Sequence, residues 1–183
     1  MRTRSILLAG LSALGFARAT TLQQLSLDDM IQQSSGIVRA QVTGSSAALR
    51  GQSIYTYYHL QILETAKAAA GQAPHEIDVA VPGGTLNGLR EMVPGAPALN
   101  TGSQYVVFLW TSRSGLTQII GLSQGLFLAI PEGSSKDGPG KIRLARPAAT
   151  DLMLDKNGKV VADHSLGLEW SDLQARIQKG LAK

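Results

Sequence analysis

The sequence predicts a mainly β fold, a β-barrel or a sandwich, with a short N-terminal helix and a C-terminal amphipathic helix. Three observations indicate this class. Apolar residues recur with a period of two in several short segments, and stretches rich in glycine, proline or serine separate those segments. Helical periodicity is confined to the two ends of the working chain. Because almost no helix separates the strands, a doubly wound α/β sheet is not expected.

Residues 1–19 have the three parts of a secretion signal. Two arginines precede an apolar run from Ile6 to Phe16, which is shorter than the about 20 residues that a membrane-spanning helix needs. Ala17 and Ala19 then place small side chains where a signal peptidase requires them. We therefore expect cleavage after Ala19, a single working domain of residues 20–183, and a secreted or periplasmic location. An uncleaved anchor or a buried N-terminal helix is the alternative.

The first predicted helix covers residues 20–34, with Ser26 as N-cap and Asp29 three residues further on. Clean alternation predicts a strand over 76–81, and a continuous apolar run predicts another over 105–110. The full set of predicted strands is 37–42, 54–63, 76–81, 105–110, 116–121, 126–130, 141–145, 152–154 and 159–162. Residues 45–52 and 85–103 are predicted to be loops.

The C-terminal part is predicted to be a hairpin followed by a helix. Asn157 and Gly158 tolerate positive φ, which favours a two-residue turn between the strands. Ser171 is the expected N-cap of the last helix. The apolar face of that helix is predicted to contain Trp170, Leu173, Ile177 and Leu181.

Charge and cysteine content exclude several classes of function. Removal of the signal takes three arginines, which reduces 17 basic residues to 14 against 13 acidic ones, so the mature net charge is about +1. A nucleic-acid partner is therefore not expected, and Lys141 and Arg143 are interpreted as a solvated strand face. The absence of cysteine excludes a disulfide scaffold, a lipid-modified cysteine and thiol catalysis.

One motif resembles a hydrolase signature. Gly121 to Gly125 matches the Gly-x-Ser-x-Gly nucleophile elbow around Ser123, with His164 downstream. An elbow needs a helix after the serine, whereas the run Leu126–Ile130 predicts a strand, so we interpret the motif as a turn. No catalytic residue is assigned.

The three histidines of the chain are not spaced as a metal-ligating pair, and neither a metal nor a cofactor is expected. The histidines are His59, His75 and His164.

A row of side chains on one predicted strand is the candidate binding surface. Tyr55, Tyr57 and His59 alternate along the strand and therefore share a face, with the two tyrosines about 7 Å apart. With Tyr58, Phe108 and Trp110 they offer an aromatic platform for a sugar or a peptide. Cross-strand packing is the alternative interpretation of the same residues.

The segment from Ser35 to Trp110 has a recognisable rhythm of strands. The run Gly36–Val42 follows a short helix, Tyr57–Lys67 and Glu76–Val81 come next, and Gly102–Leu109 closes the segment after a glycine-rich loop. This order resembles netrin-like domains, the OB-type barrel also found in tissue inhibitors of metalloproteases, and it is similar to that of uncharacterised exported bacterial proteins. The resemblance implies an OB-like barrel. Those inhibitors chelate zinc through an N-terminal cysteine that this chain lacks, so no functional residue is carried over.

These observations together predict an exported, non-enzymatic binding or accessory protein. Its partner would be a protein, a peptide or a glycan, contacted by the 45–52 and 84–103 loops. A protease inhibitor or accessory protein, and a small serine hydrolase using Ser123, are the alternatives.

Overall fold

The computed structural model describes residues 21–68, 74–133 and 140–182. The strands, in chain order, are β1 (Thr21–Gln23), β2 (Gly36–Arg50), β3 (Ser53–Lys67), β4 (Glu76–Pro82), β5 (Gly84–Leu86), β6 (Leu89–Glu91), β7 (Gln104–Thr111), β8 (Thr117–Ile119), β9 (Leu126–Glu132), β10 (Lys141–Arg146), β11 (Leu152–Leu154), β12 (Val160–Val161) and β13 (Leu166–Glu169). The helices are α1 (Leu27–Gln33) and α2 (Trp170–Leu181). In these ranges, no helix combines the length and apolarity needed to cross a bilayer. The predicted signal, residues 1–19, lies outside the described residues.

The mainly β class and the two helices are confirmed. The main sheet has the order β13-β10-β9-β7-β2-β3-β4 and curls into a half-barrel. β8 is hydrogen-bonded to β7 and also lies against β4 on the far side of the curl. β2 and β3 are long, and β2 bends because its register with β3 shifts at three places, the last between Val42 and Gly44.

Two hydrophobic clusters occupy the two sides of this sheet. Inside the curl, alternate residues of β2, β3, β4 and β7 pack together, among them Val42, Leu60 and Val107. On the other side, Phe108 and Phe127 pack against α1 and α2, with their ring centroids 5.7 Å apart. Successive side chains of a strand point to opposite faces of the sheet, so the same strands contribute residues to both hydrophobic clusters.

The N-terminal helix is confirmed, but it is shorter than predicted. It covers Leu27–Gln33, and the residues before it form β1, which pairs in parallel with β11. The predicted cap is confirmed as a capping box. Asp29 N–H donates to Ser26 Oγ over 3.1 Å, and Ser26 N–H donates to Asp29 Oδ2 over 3.0 Å.

Both predicted loops were assigned wrongly in part. Residues 45–50 continue β2 and pair with β3, so only Gly51 and Gln52 form a turn. Within 85–103, β5 and β6 form a small hairpin. That hairpin packs closely on the main sheet, because a Cβ on Gly84, whose φ is 142°, would lie 2.4 Å from Thr56 Oγ1.

The C-terminal hairpin and helix are present with different details. The turn is a five-residue loop in which Asp155 Oδ1 accepts hydrogen bonds from the N–H groups of Asn157 and Lys159. The Asp155 side chain closes this longer loop, so the prediction of a two-residue turn is wrong. The N-cap position of helix α2 is Glu169 instead of Ser171, and the Glu169 side chain makes no capping hydrogen bond. Its buried face contains Trp170, Leu173 and Ile177, whereas Leu181 is exposed.

Candidate functional site

The outer face of β2, β3 and β4 carries the predicted binding residues. Ile54 and Leu60 of β3 are buried inside the curl, so the alternate residues Tyr55, Tyr57 and His59 point outward. All three are half-buried. We call this surface the tyrosine face. The structure therefore places the three predicted residues side by side on one accessible surface.

The wider aromatic platform is not assembled. Tyr58 points to the other side of β3 and packs against the inner cluster. Phe108 is fully buried beneath the helices, and Trp110 lies on β7, outside the tyrosine face. Of the predicted platform, only Tyr55 and Tyr57 are neighbouring rings on the outward face, and both are half-buried.

His59 is the centre of a hydrogen-bonded chain that crosses three strands. Its Nδ1 lies 2.6 Å from Asp78 Oδ1 on β4, and its Nε2 lies 3.4 Å from Ser46 Oγ on β2. Because an ionised carboxylate only accepts, Nδ1 carries the proton in the neutral ring and Nε2 faces Ser46 as an acceptor. The His59 side chain is still 42% exposed, so a ligand can reach it.

The backbone beneath His59 explains its position. The irregularity of β2 at Gly44 places this glycine directly opposite His59, where a Cβ would lie 3.6 Å from the imidazole Cδ2. Thr43 Oγ1 donates to the His59 carbonyl over 3.0 Å and joins the irregular segment to β3. The local bend of β2 and the ring position are thus coupled.

Ser46 and Asp78 are the members of the site that sequence reasoning missed. Asp78 lies within the strand predicted over 76–81, but its neighbour across the sheet depends on the register of β3 and β4. Ser46 fell within a predicted loop. The only signal that could have found it was the possibility that β2 extends beyond Val42, and the serine- and alanine-rich sequence there disfavours a strand.

A second polar cluster joins helix α2 to the sheet. Glu64 on β3 accepts hydrogen bonds from Trp170 Nε1 over 2.5 Å and from Arg39. Burial raises the pKa of Glu64, but the bonds from Trp170 and Arg39 outweigh it and hold the pKa below the usual range. Every group of this cluster is satisfied by a partner in the fold, so we assign it a structural role.

The Gly-x-Ser-x-Gly segment is a 3₁₀ turn, as the interpretation of that motif required. The turn covers Leu122–Gly125, and strand β9 follows it directly. In the part of the chain that the structure describes, no histidine is hydrogen-bonded to Ser123. Nor do the described residues bring three histidine, aspartate or glutamate side chains together as a metal site.

Comparison of the chain with protein-family models, curated proteins and solved structures gives no match.

Proposed function

We propose that this chain is an exported carbohydrate-binding module whose ligand lies on the tyrosine face. The single observation that carries this proposal is the row of Tyr55, Tyr57 and His59 on one accessible strand face, with His59 hydrogen-bonded on both sides. Tyrosine rings offer flat apolar surfaces to the C–H groups of a pyranose. Serine, histidine and aspartate supply the donors and acceptors that sugar hydroxyls require.

The path of the strands supports an OB-type barrel. β2, β3 and β4 form a meander, β7 returns to the free side of β2, and β8 lies between β7 and β4. OB barrels bind oligonucleotides and oligosaccharides on the outer face of their second and third strands. In this chain those strands are β3 and β4, which carry the tyrosine face.

Charge favours a glycan over a nucleic acid. β4 contributes Glu76 and Asp78 to the outward side of the sheet, and both are exposed. Binding to a phosphate backbone depends on lysine and arginine side chains that neutralise it. At the tip of the β2–β3 hairpin, Arg50 is already bonded to Ser114 Oγ over 3.0 Å.

Isothermal titration with cellohexaose, maltohexaose and chitohexaose tests the proposal. We expect at least one of them to bind, and Tyr57→Ala to weaken that binding by about tenfold or more. Tyr57→Phe keeps the ring and should bind nearly as wild type does. Tyr58→Phe is the matched control, because Tyr58 lies on the opposite side of the same strand. No binding of any hexasaccharide, or equal weakening by Tyr58→Phe, would contradict the assignment.

Export is part of the same proposal and has its own test. Expression of the full chain in a bacterial host should yield a periplasmic or secreted product whose first residue is Thr20. A product that keeps Met1 and stays in the cytoplasm would refute export.

A second candidate function is acyl transfer at Ser46. Ser46, His59 and Asp78 are arranged as a nucleophile, its general base and the group that orients the base. The distance of 3.4 Å between Ser46 and His59 is long, but bonds between nucleophile and base are often long in ligand-free proteins. With a fluorophosphonate, Ser46 Oγ would bond to phosphorus, fluoride would leave, and the proton would pass to His59 Nε2. Peptide mass spectrometry should then find the label on Ser46 and not on its neighbour Ser45, which is also exposed but lies on the opposite face of the strand. An unlabelled Ser46 excludes this function.

A further inference from the structure

A concave surface lies at the end of α1 and shares none of its lining residues with the tyrosine face. It has a volume of about 410 Å³. Its lining consists of Gln33, Trp110, Gln118, Ile119, Ile120, Gly121 and Leu122. One wall is the β7–β8 ladder, in which Trp110 stands directly opposite Gln118. The other wall ends at Gln33, the last residue of α1.

Trp110 differs sharply from the other tryptophan of the chain. Trp110 is 46% exposed, whereas Trp170 is 5% exposed and donates its indole N–H to Glu64. The half-exposed indole that lines this concavity therefore offers an accessible apolar face on which a ligand ring can stack.

The two glutamines supply the polar part of this surface. In the described part of the chain, neither the Gln33 amide nor the Gln118 amide has a hydrogen-bond partner. Each amide offers both donors and an acceptor. An apolar ring flanked by free amides matches a sugar ring, which has C–H groups on its faces and hydroxyl groups at its edge.

The floor of the concavity is a strained turn that a buried side chain holds in place. Leu122 has a φ of 56°, which is unusual for a residue other than glycine. Gln124, 1% exposed, accepts a hydrogen bond from Leu25 N–H over 2.8 Å and donates to the Gln23 carbonyl over 3.0 Å. Strain of this kind persists only where the surroundings fix it, and it concentrates at ligand sites.

We propose that Trp110, Gln118 and Gln33 form a second sugar-binding subsite, which stacks one pyranose ring on the indole. The ligand class rests on the carbohydrate-binding function proposed above. The subsite itself rests on different residues, so the two assignments can fail separately.

The test uses the full mature chain labelled with 5-fluorotryptophan, which gives one ¹⁹F resonance for each of the two tryptophans. Trp110→Phe assigns the signals. On addition of cellohexaose, maltohexaose or chitohexaose, we expect the Trp110 resonance to shift and the buried Trp170 resonance to stay in place. Trp110→Ala should weaken the binding by about tenfold. Gln118→Leu should weaken it while leaving the thermal unfolding temperature unchanged.

The outcomes separate the two proposals. If the Trp110 resonance shifts and the Tyr57→Ala variant binds normally, the subsite is supported and the assignment of binding to the tyrosine face is refuted. Binding that depends on Tyr57 and leaves the Trp110 signal unmoved overturns the subsite alone. If none of the three hexasaccharides moves the Trp110 signal, the subsite is also overturned.

Discussion

The pair of Arg146 and Asp163 is the most deeply buried ion pair in the described residues. Each side chain is only 5% exposed, and the guanidinium donates to the two carboxylate oxygens over 2.6 and 3.0 Å. Asp163 also accepts from Ala149 N–H over 2.8 Å, and Arg146 donates to the His164 carbonyl over 3.0 Å. The guanidinium carbon lies 6.0 Å from the ring centroid of Phe127.

Asp163→Asn removes the negative charge without changing the volume of the side chain. It leaves a buried arginine without its counter-charge and turns an amide N–H₂ group toward a guanidinium that only donates. Breaking a buried pair in this way costs about 3–5 kcal/mol, a large part of the about 5–15 kcal/mol by which a domain is stable. At about 2–4 °C per kcal/mol for a chain of this size, the unfolding temperature should fall by about 10 °C.

The loss should depend on pH in a defined direction. Burial raises the pKa of Asp163, but hydrogen bonds from Arg146 and from the Ala149 and His164 N–H groups outweigh it, so the pKa lies below its ordinary value of 3.8. A lowered folded-state pKa gives stability that is present above the unfolded value and lost as pH falls through the folded value. The difference between wild type and Asp163→Asn should therefore be full at pH 7 and shrink below pH 3.8.

Urea unfolding of both proteins, followed by circular dichroism across this pH range, measures the difference. Glu132→Gln is the matched control. Glu132 on β9 bonds over 2.6 Å to Arg143, which lies on the same strand as Arg146, but both side chains of this pair are about half exposed. An exposed pair contributes about 0–1 kcal/mol. The reasoning is refuted if Asp163→Asn is no more destabilising than Glu132→Gln, or if its effect does not change in acid.

Three further predictions concern the packing and the helix cap described above, and each is tested by thermal or urea unfolding. Gly84→Ala should lower the free energy of unfolding by about 3 kcal/mol, because the new Cβ would clash with Thr56 and the φ of this residue is 142°. Gly88→Ala is its control: φ is 80° there but the space around it is open, so the loss should be about 1 kcal/mol. Equal losses would contradict the close packing of the β5–β6 hairpin on the main sheet. Gln124→Leu should cost about 3 kcal/mol because it leaves buried backbone groups unpaired, and a neutral result would show that water replaces its bonds. Ser26→Ala should cost about 1 kcal/mol through loss of the capping box, and no change would show that the cap is dispensable.

The strands that the sequence predicts best are those whose pattern is local. Residues 152–154 are a strand with the predicted bounds. The strand predicted at 76–81 is one residue longer at its end, and the strand predicted at 105–110 is one residue longer at each end. Each combines apolar or β-branched residues with clear turn residues on its flanks. The short helix and its cap are predictable for the same reason, since Ser26 and Asp29 are three residues apart.

The features that the sequence does not predict depend on distant contacts. β2 continues to Arg50 through small and polar residues because β3 offers it a complete ladder, and this pairing overrides weak strand propensity. Helix α2 begins at Trp170 instead of after Ser171, and the Trp170 indole bonds to Glu64 on a strand more than a hundred positions earlier. No local pattern contains either partner.

The candidate site also has one part that the sequence predicts locally and one part that depends on distant contacts. Its aromatic row is visible in one strand, because residues two apart share a face whatever the strand pairs with. The bonds from His59 to Ser46 and Asp78 require the register of three strands, including the irregularity at Gly44. Sequence reasoning therefore found the surface but not the hydrogen-bonded chain that gives it chemical character.

The tyrosine face should tolerate substitution without loss of the fold, so the proposed binding can be tested separately from stability. The inward residues of β3, such as Ile54 and Leu60, supply the buried contacts, and the ladders to β2 and β4 are formed by the backbone. Tyr57 is half-buried on the other side and belongs to neither hydrophobic cluster. Tyr57→Ala should therefore cost well under the about 3–5 kcal/mol of a core aromatic truncation. A variant that stays folded but no longer binds would separate recognition from stability at this surface.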